Sequence, residues 1–169
     1  VSKDRKIQEQ LLEEMRLDPM TRVLNKVAAG EEVDRILTQE PQGTHVLLLI
    51  DIDDFKQIND TFGHTVGDTV ISDVADVIRQ QFGENDLVAR MGGDEFLAFM
   101  RNTTRAEAER KAEQLCGESA KRLIGDDAIV NVTLSIGLAV SGEDGDDYET
   151  LFTMADRAMY DTKRDGKNG

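Results

Sequence analysis

Residues 46–50, Val46-Leu47-Leu48-Leu49-Ile50, are continuously apolar and lie between a turn and a run of acids, the pattern of a central strand buried on both faces. After a polar loop that contains Gly63 and Gly67, the apolar positions Val70, Ile71, Val74, Val77 and Ile78 recur at helical spacing, which predicts a helix over residues 66–82. Two short strands, residues 86–90 and 95–101, flank Met91-Gly92-Gly93-Asp94, where paired glycines followed by an acid signal a hairpin. Thr103 or Thr104 can cap a helix reaching about Leu123, with Glu107 placed as a capping-box partner. Residues 129–140 read as one long strand, and residues 148–163 as a closing helix.

The chain opens differently. Residues 4–17 carry Ile7, Leu11, Leu12 and Met15 at helical spacing, a stripe too narrow for a core helix, so they read as a connecting helix. Asp18-Pro19 interrupts it, and a second helix is expected over residues 21–38. This divides the chain into a connecting helix, residues 1–17, and a folded domain, residues 18–169. After the two leading helices the order is strand, helix, strand, strand, helix, strand, helix. That order predicts an α+β, ferredoxin-like (palm-type) central antiparallel sheet with flanking helices over one face and an N-terminal linker helix. The other face is then covered by the leading helices or is a working surface.

Charge narrows the function. The 169 residues hold 34 acids against 20 bases, a formal charge of −14, which repels nucleic acid and anionic membranes. A small phosphorylated substrate fits only where local lysines or a metal ion reverse that field. Cys116 is the single cysteine, so no disulfide framework exists and the thiol reads as part of the core. The longest apolar run is far too short to span a bilayer, and no signal-peptide pattern opens the chain. A start at Val1 leads us to expect a fragment of a longer protein, whose other parts can include membrane segments.

Candidate chemistry gathers at the end of the apolar strand. Asp51, Asp53 and Asp54 are delivered there by a buried element, Asp51 and Asp53 pointing one way and Asp54 the other. A calcium loop is excluded, because counting from Asp51 the sixth position is Lys56 and the twelfth is Phe62. Solvated acids at a strand end remain an alternative for this segment alone. Asp94, in a turn whose glycines allow close approach of a ligand, can share a metal ion with the first group. Oxygen ligation of this kind suits Mg2+ or Mn2+. His45 and His64 are isolated in the sequence and Cys116 offers no zinc spacing.

Arg90-Met91-Gly92-Gly93-Asp94-Glu95-Phe96 resembles the signature of GGDEF-type diguanylate cyclases. Asp51-Ile52-Asp53-Asp54-Phe55-Lys56-Gln57-Ile58-Asn59-Asp60-Thr61-Phe62-Gly63-His64-Thr65-Val66-Gly67-Asp68 is similar to the family's other long signature. Residues 18–26, Leu134-Ser135-Ile136-Gly137, Ala155-Asp156-Arg157-Ala158-Met159-Tyr160, Lys163 and Gly166-Lys167-Asn168 extend the likeness over nearly everything from Asp18 onward. The resemblance implies joining of two GTP molecules into cyclic di-GMP in a head-to-head homodimer, with Mg2+ or Mn2+ held by Asp51, the Ile52 carbonyl and Asp94. It further implies that Asp94 is the base for the ribose 3′-hydroxyl, with Glu95 following it in a supporting role because strand alternation turns its side chain to the opposite face. Asn59 and Asp68 would recognise guanine, His64 would line the nucleotide site, and Lys56, Lys163 and Lys167 would hold the triphosphate, aided by backbone N–H groups of Phe55 and Lys56. A cytoplasmic catalytic domain is implied, coupled through residues 1–17 to a sensor domain that precedes this chain.

Three departures accompany the resemblance. Lys167 stands where the family usually has arginine, keeping the charge and losing a bidentate fork. Arg22 replaces the usual glycine and Lys26 the usual arginine. The family's product-binding Arg-x-x-Asp window is here Gly83-Glu84-Asn85-Asp86, so Asp86 is present with Gly83 in place of the arginine, and strong feedback inhibition is not expected. Two other classes stay open: an inactive GTP-binding regulatory module of the same fold, and a related palm-type cyclase or polymerase acting on ATP.

Overall fold

Helices and strands follow one another as α1 (Ser2–Glu14), α2 (Lys26–Gln39), β1 (Val46–Ile52), α3 (Phe55–Phe62), α4 (His64–Gln81), β2 (Leu87–Arg90), β3 (Glu95–Met100), α5 (Arg105–Ser119), β4 (Arg122–Ile124), β5 (Ala128–Val130), β6 (Leu134–Val140) and α6 (Tyr148–Arg164). This computed structural model describes residues 2–119, 122–124 and 128–166. Four strands form an antiparallel sheet in the order β2-β3-β1-β6, while β4 and β5 pair separately. The sheet is the ferredoxin-like arrangement that the order of elements predicted.

All seven residues of β1 are buried, and their alternation divides the core in two. Val46, Leu48, Ile50 and Ile52 meet Val70, Val74 and Ile78 of α4 and Ala108, Ala112 and Leu115 of α5. Leu47 and Leu49 meet Val33 and Ile36 of α2 and Leu151, Ala155 and Met159 of α6. The crossover helices therefore cover one face as expected, and the leading α2 covers the other together with α6. Each fully buried Leu or Ile contributes about 1.5–3 kcal/mol, so β1 anchors both layers. At Gly137 a Cβ would lie 2.0 Å from the Ala155 carbonyl oxygen, so α6 rests directly on the β6 backbone. That close contact carries the last turn of α6 to the acidic end of the sheet.

Several boundaries differ from expectation. Residues 55–62, read as part of a polar loop, form α3, in which Phe55, Ile58 and Phe62 do recur at helical spacing, but over only eight residues that end at Gly63. Gly63, at φ 93°, joins α3 to α4 and takes a left-handed conformation that a side chain would resist. The helix expected from Thr21 starts at Lys26, capped by Asn25, whose Oδ1 accepts from the Ala28 N–H at 3.0 Å. Before it lies a turn in which Arg22 adopts φ 63°, so the arginine takes up the conformation that the family's glycine would supply. At the far end, α5 starts behind Thr104, whose Oγ1 accepts from the Glu107 N–H, and ends at Ser119 instead of near Leu123.

The long strand expected over residues 129–140 is broken into β5 and β6, which belong to different sheets. Val130, Val132, Leu134 and Ile136 all enter the same core cluster, so the alternating pattern continues across the break and hides it. Cys116 is half-buried on α5 with Sγ 3.6 Å from the Leu134 carbonyl, and burial pushes its thiol up to about 11. Among the described residues no helix is long and apolar enough to cross a membrane. Along α1 and just past its end, Ile7, Leu11, Leu12 and Met15 are 54–73% exposed, an apolar stripe left uncovered among the described residues.

Candidate active site

The antiparallel register sets Asp51 directly opposite Glu95 on β3 and Ser135 on β6. Residues facing one another in adjacent strands share a face, and here it is the face covered by α6. From the last turn of α6, Lys163 reaches Asp51 in an ion pair. The Asp94 carbonyl accepts from the Ile52 N–H at 3.0 Å, joining the hairpin turn to the end of β1. Burial raises the Asp51 carboxyl, the hydrogen bond from Lys163 opposes it, and the charge of Asp94 raises it further. Glu95 is pushed up to about 7, first by burial and then by the charges of Asp51, Asp156 and Asp94. Strand alternation was expected to turn Glu95 away from the chemistry, yet pairing across the sheet brings it beside Asp51. Asp156 was not among the candidates, although it precedes Lys163 by seven residues, the i,i+7 spacing of one helix face.

Asp51 and Asp53, expected to point the same way, are put to different uses. Asp53 is 4% exposed and accepts from Thr133 Oγ1 at 2.7 Å and Ser135 Oγ at 2.6 Å, locking the end of β1 onto the chain entering β6. Asp54 takes φ 55° at the N-cap of α3, and its side chain makes no capping hydrogen bond. Ile58 is the first residue of α3 whose N–H bonds back, to the Asp54 carbonyl at 3.1 Å. The N–H groups of Phe55 and Lys56 precede it and point along the helix axis beside the acid cluster, an arrangement suited to an anion.

A second group of candidates gathers where α3 meets α4. Asn59 is half-buried with Oδ1 over Gly67, where a Cβ would come within 1.7 Å of it, and that oxygen is buried without a hydrogen-bond donor. Phe55 packs its ring beside the same glycine. His64 and Asp68 are exposed on α4 at i,i+4, hence neighbours on one helix face, and Lys56 is exposed on α3. Lys167 lies outside the described residues. Gly92 and Gly93 have no positive φ, and a Cβ on either would meet nothing within 4 Å. The monomer's own packing therefore does not require glycine in this turn, whereas a ligand approaching its backbone would.

Asp86 is occupied by its own turn and by the end of β3. Its Oδ2 accepts from the Gly83 N–H at 3.1 Å and its Oδ1 from the Arg101 N–H at 3.2 Å.

The model of the family "Diguanylate cyclase, GGDEF domain" matches residues 15–169. The chain belongs to this family. It is 38% identical over 130 residues to "Diguanylate cyclase A" of Treponema denticola, covering 76% of this chain and 35% of that one. With "Response regulator PleD" of Caulobacter vibrioides the identity is 35% over 156 residues, covering 89% and 34%. The coiled coil and GGDEF domain of DgcB from Caulobacter crescentus, solved in complex with c-di-GMP, superposes with a TM-score of 0.91 at 29% identity, covering 99% of this chain and 90% of that one. The chain spans about a third of the length of the curated relatives it matches.

The donor set of this GGDEF domain fits a hard divalent cation. Among the described residues no three carboxylates or imidazoles close into a ready-made cage. Mg2+ and Mn2+ need none, since they bind through one or two carboxylates, retained waters and substrate phosphates. Asp51, whose buried carboxylate already has a cationic partner in Lys163, and Asp94 beside it supply that number.

Proposed function

We propose that this domain condenses two GTP molecules into cyclic di-GMP and two pyrophosphates. The reading is carried by one observation: an acid cluster at the end of a rigid strand, fronted by two glycines with open space over them, within a GGDEF domain. Asp94 accepts the proton of the ribose 3′-hydroxyl, whose oxygen attacks the α-phosphorus of the facing GTP as pyrophosphate leaves. Repeating the step from the second nucleotide closes the ring. Each domain holds one GTP, so turnover requires a two-fold homodimer. Asp51, Asp94 and the Ile52 carbonyl would hold Mg2+ or Mn2+, which would acidify the attacking hydroxyl and neutralise phosphate charge. Glu95, beside Asp51, supports the same cluster.

Asn59 and Asp68 select guanine, because their acceptors match its adjacent N–H donors and adenine would leave them unpaired. His64 borders that site. Lys56, Lys163 and Lys167 with the N–H groups of Phe55 and Lys56 hold the triphosphate, and Lys163 exchanges Asp51 for phosphate. Residues 1–17 connect the domain, residues 18–169, to a sensor that precedes it, and the domain works in the cytoplasm. Product inhibition through Asp86 is weak, since its oxygens are taken by the Gly83 and Arg101 N–H groups and no arginine stands at Gly83.

Incubation with GTP and Mg2+ over a range of protein concentrations, followed by chromatography, tests the reading. Cyclic di-GMP formation should rise faster than linearly with protein. Absence of product at every concentration overturns it, and GTP binding without turnover would then mark a regulatory module.

A further inference from the structure

Arg90, the last residue of β2, reaches back 72 residues to Asp18 and joins it to the turn that follows β2. On one side its Nε donates to the Gly92 carbonyl at 3.1 Å and its Nη2 to the Gly93 carbonyl at 2.9 Å, the two carbonyls that precede Asp94. On the other side Nη1 donates to both carboxylate oxygens of Asp18, at 3.3 and 3.5 Å, and lies 3.4 Å from Met20 Sδ. The paired side chains are 16% and 17% exposed, so the contact is partly shielded from water.

Asp18 is itself held in place. Its Oδ2 accepts from the Thr21 N–H at 2.9 Å and hydroxyl at 2.7 Å, and its own N–H donates to the Val23 carbonyl. Leu24 then bridges to β2, donating to the Val88 carbonyl at 3.1 Å and accepting from the Arg90 N–H at 2.8 Å. The end of α1 is tied to the same turn, because Asn25 donates from Nδ2 to the Met15 carbonyl and from its N–H to the Arg16 carbonyl. Arg16 pairs with Glu31 and Glu32 of α2. Contacts therefore run without a gap from the exit of α1 to the turn that carries Asp94.

The turn needs external support. Gly92 and Gly93 contribute no side chains, and glycine is the residue with most backbone freedom to lose. Met91 and Gly92 donate to the Glu95 carbonyl at 2.8 and 3.3 Å, which closes the turn but leaves the Gly92 and Gly93 carbonyls to Arg90. A planar guanidinium can hold two divergent carbonyls and a carboxylate together, and an ammonium, as a compact point charge, cannot reproduce that fork. We propose that Arg90 is a positioning residue for the Asp94 turn, and that through Asp18 the exit of α1 sets the geometry of that turn. The proposal rests on the reading of Asp94 as the base.

The test uses the full 169-residue chain with Arg90→Lys, Asp18→Asn and the double variant, measuring turnover, GTP KM, thermal midpoint and amide hydrogen exchange at Met91 and Gly92. Arg90→Lys should lower kcat about tenfold or more, with KM within about threefold and the thermal midpoint nearly unchanged, since misplacement of a reacting group by about 1 Å can cost about 100-fold. Asp18→Asn should lower kcat by a smaller factor, and the double variant should lose no more than Arg90→Lys alone, because the two residues act as one unit. Exchange at Met91 and Gly92 should accelerate in both single variants while β1 and β6 amides stay protected. A kcat within about twofold of wild type in Arg90→Lys, multiplying losses in the double variant, or unchanged exchange in Asp18→Asn would each overturn the proposal. Should the wild-type chain make no product, the activity reading fails and the exchange measurement decides the positioning role by itself.

Discussion

The two ends of the central strands carry polar clusters of opposite character. At the start of β1, His45 is fully buried, yet its Nδ1 accepts from the Asn102 N–H, its Nε2 faces the Glu40 carbonyl at 3.2 Å, and its backbone exchanges hydrogen bonds with Ser141. Glu40 pairs with Arg101 and accepts from Asn102, and the hydrogen bond from Arg101 leads in holding its carboxyl below the usual range despite some burial. At the other end Asp51 pairs with Lys163 beside Asp94 and Glu95, and burial with repulsion from the neighbouring acids drives Asp51 and Glu95 upward. One cluster is matched within the fold and stabilises it. The other is left with surplus negative charge, a cost that a bound cation would offset and that fits the chemistry proposed for it.

The two ends should differ most at Asp94. Asp94→Asn should cut cyclic di-GMP formation about 10³-fold, the scale of a lost general base, with no fall in thermal stability. A stability loss comparable to the activity loss would put Asp94 among structural acids. His45→Ala should do the reverse, lowering unfolding free energy by about 2–4 kcal/mol in denaturant titration, through a cavity and two orphaned backbone groups, while the folded fraction keeps its specific activity. Equal losses in both properties would erase the distinction between the two ends.

A smaller effect sharpens the distinction by pH. Glu95 moves from an ordinary 4.5 to about 7 on folding, so between these values the folded state holds a proton that the unfolded state has released. Its contribution is full below about 4.5 and is lost as pH rises through about 7, which makes the metal-free domain less stable at pH 8 than at pH 5. Glu95→Gln should flatten that slope by on the order of 1–2 kcal/mol, part of it persisting because Asp51 shifts in the same direction. Thermal melts at the two pH values measure it, and Mg2+ should restore stability chiefly at pH 8. Glu40, lowered by Arg101, has the opposite sign and loses its contribution as pH falls.

Long, periodic segments were legible because their pattern exceeds noise: β1, α4, the hairpin of β2 and β3, and α6 all stand where spacing put them, within a few residues. Short elements were not. α3 carries its period, Phe55, Ile58 and Phe62, over only eight residues between a strand end and Gly63, and the break between β5 and β6 keeps the alternation of Val130, Val132 and Leu134 intact while the backbone changes partners. At the site, strand alternation from Asp94 mispredicted the company of Glu95, because adjacency across a sheet depends on register, which alternation within one strand does not specify. Asp18 and Arg90 were visible as parts of motifs, but their contact was not.

By itself the sequence determined the class of fold, the family, the acids at the end of an apolar strand and the glycines before Asp94. It did so because these depend on local pattern and on residue identity. Only the tertiary structure decided which acids share a face, that Asp53 is spent on Thr133 and Ser135, that Lys163 closes on Asp51, and that one arginine ties the exit of α1 to the Asp94 turn. Those facts are pairings between segments distant along the chain. They are set by sheet register and by how closely Gly137 lets α6 approach, quantities that no local pattern contains.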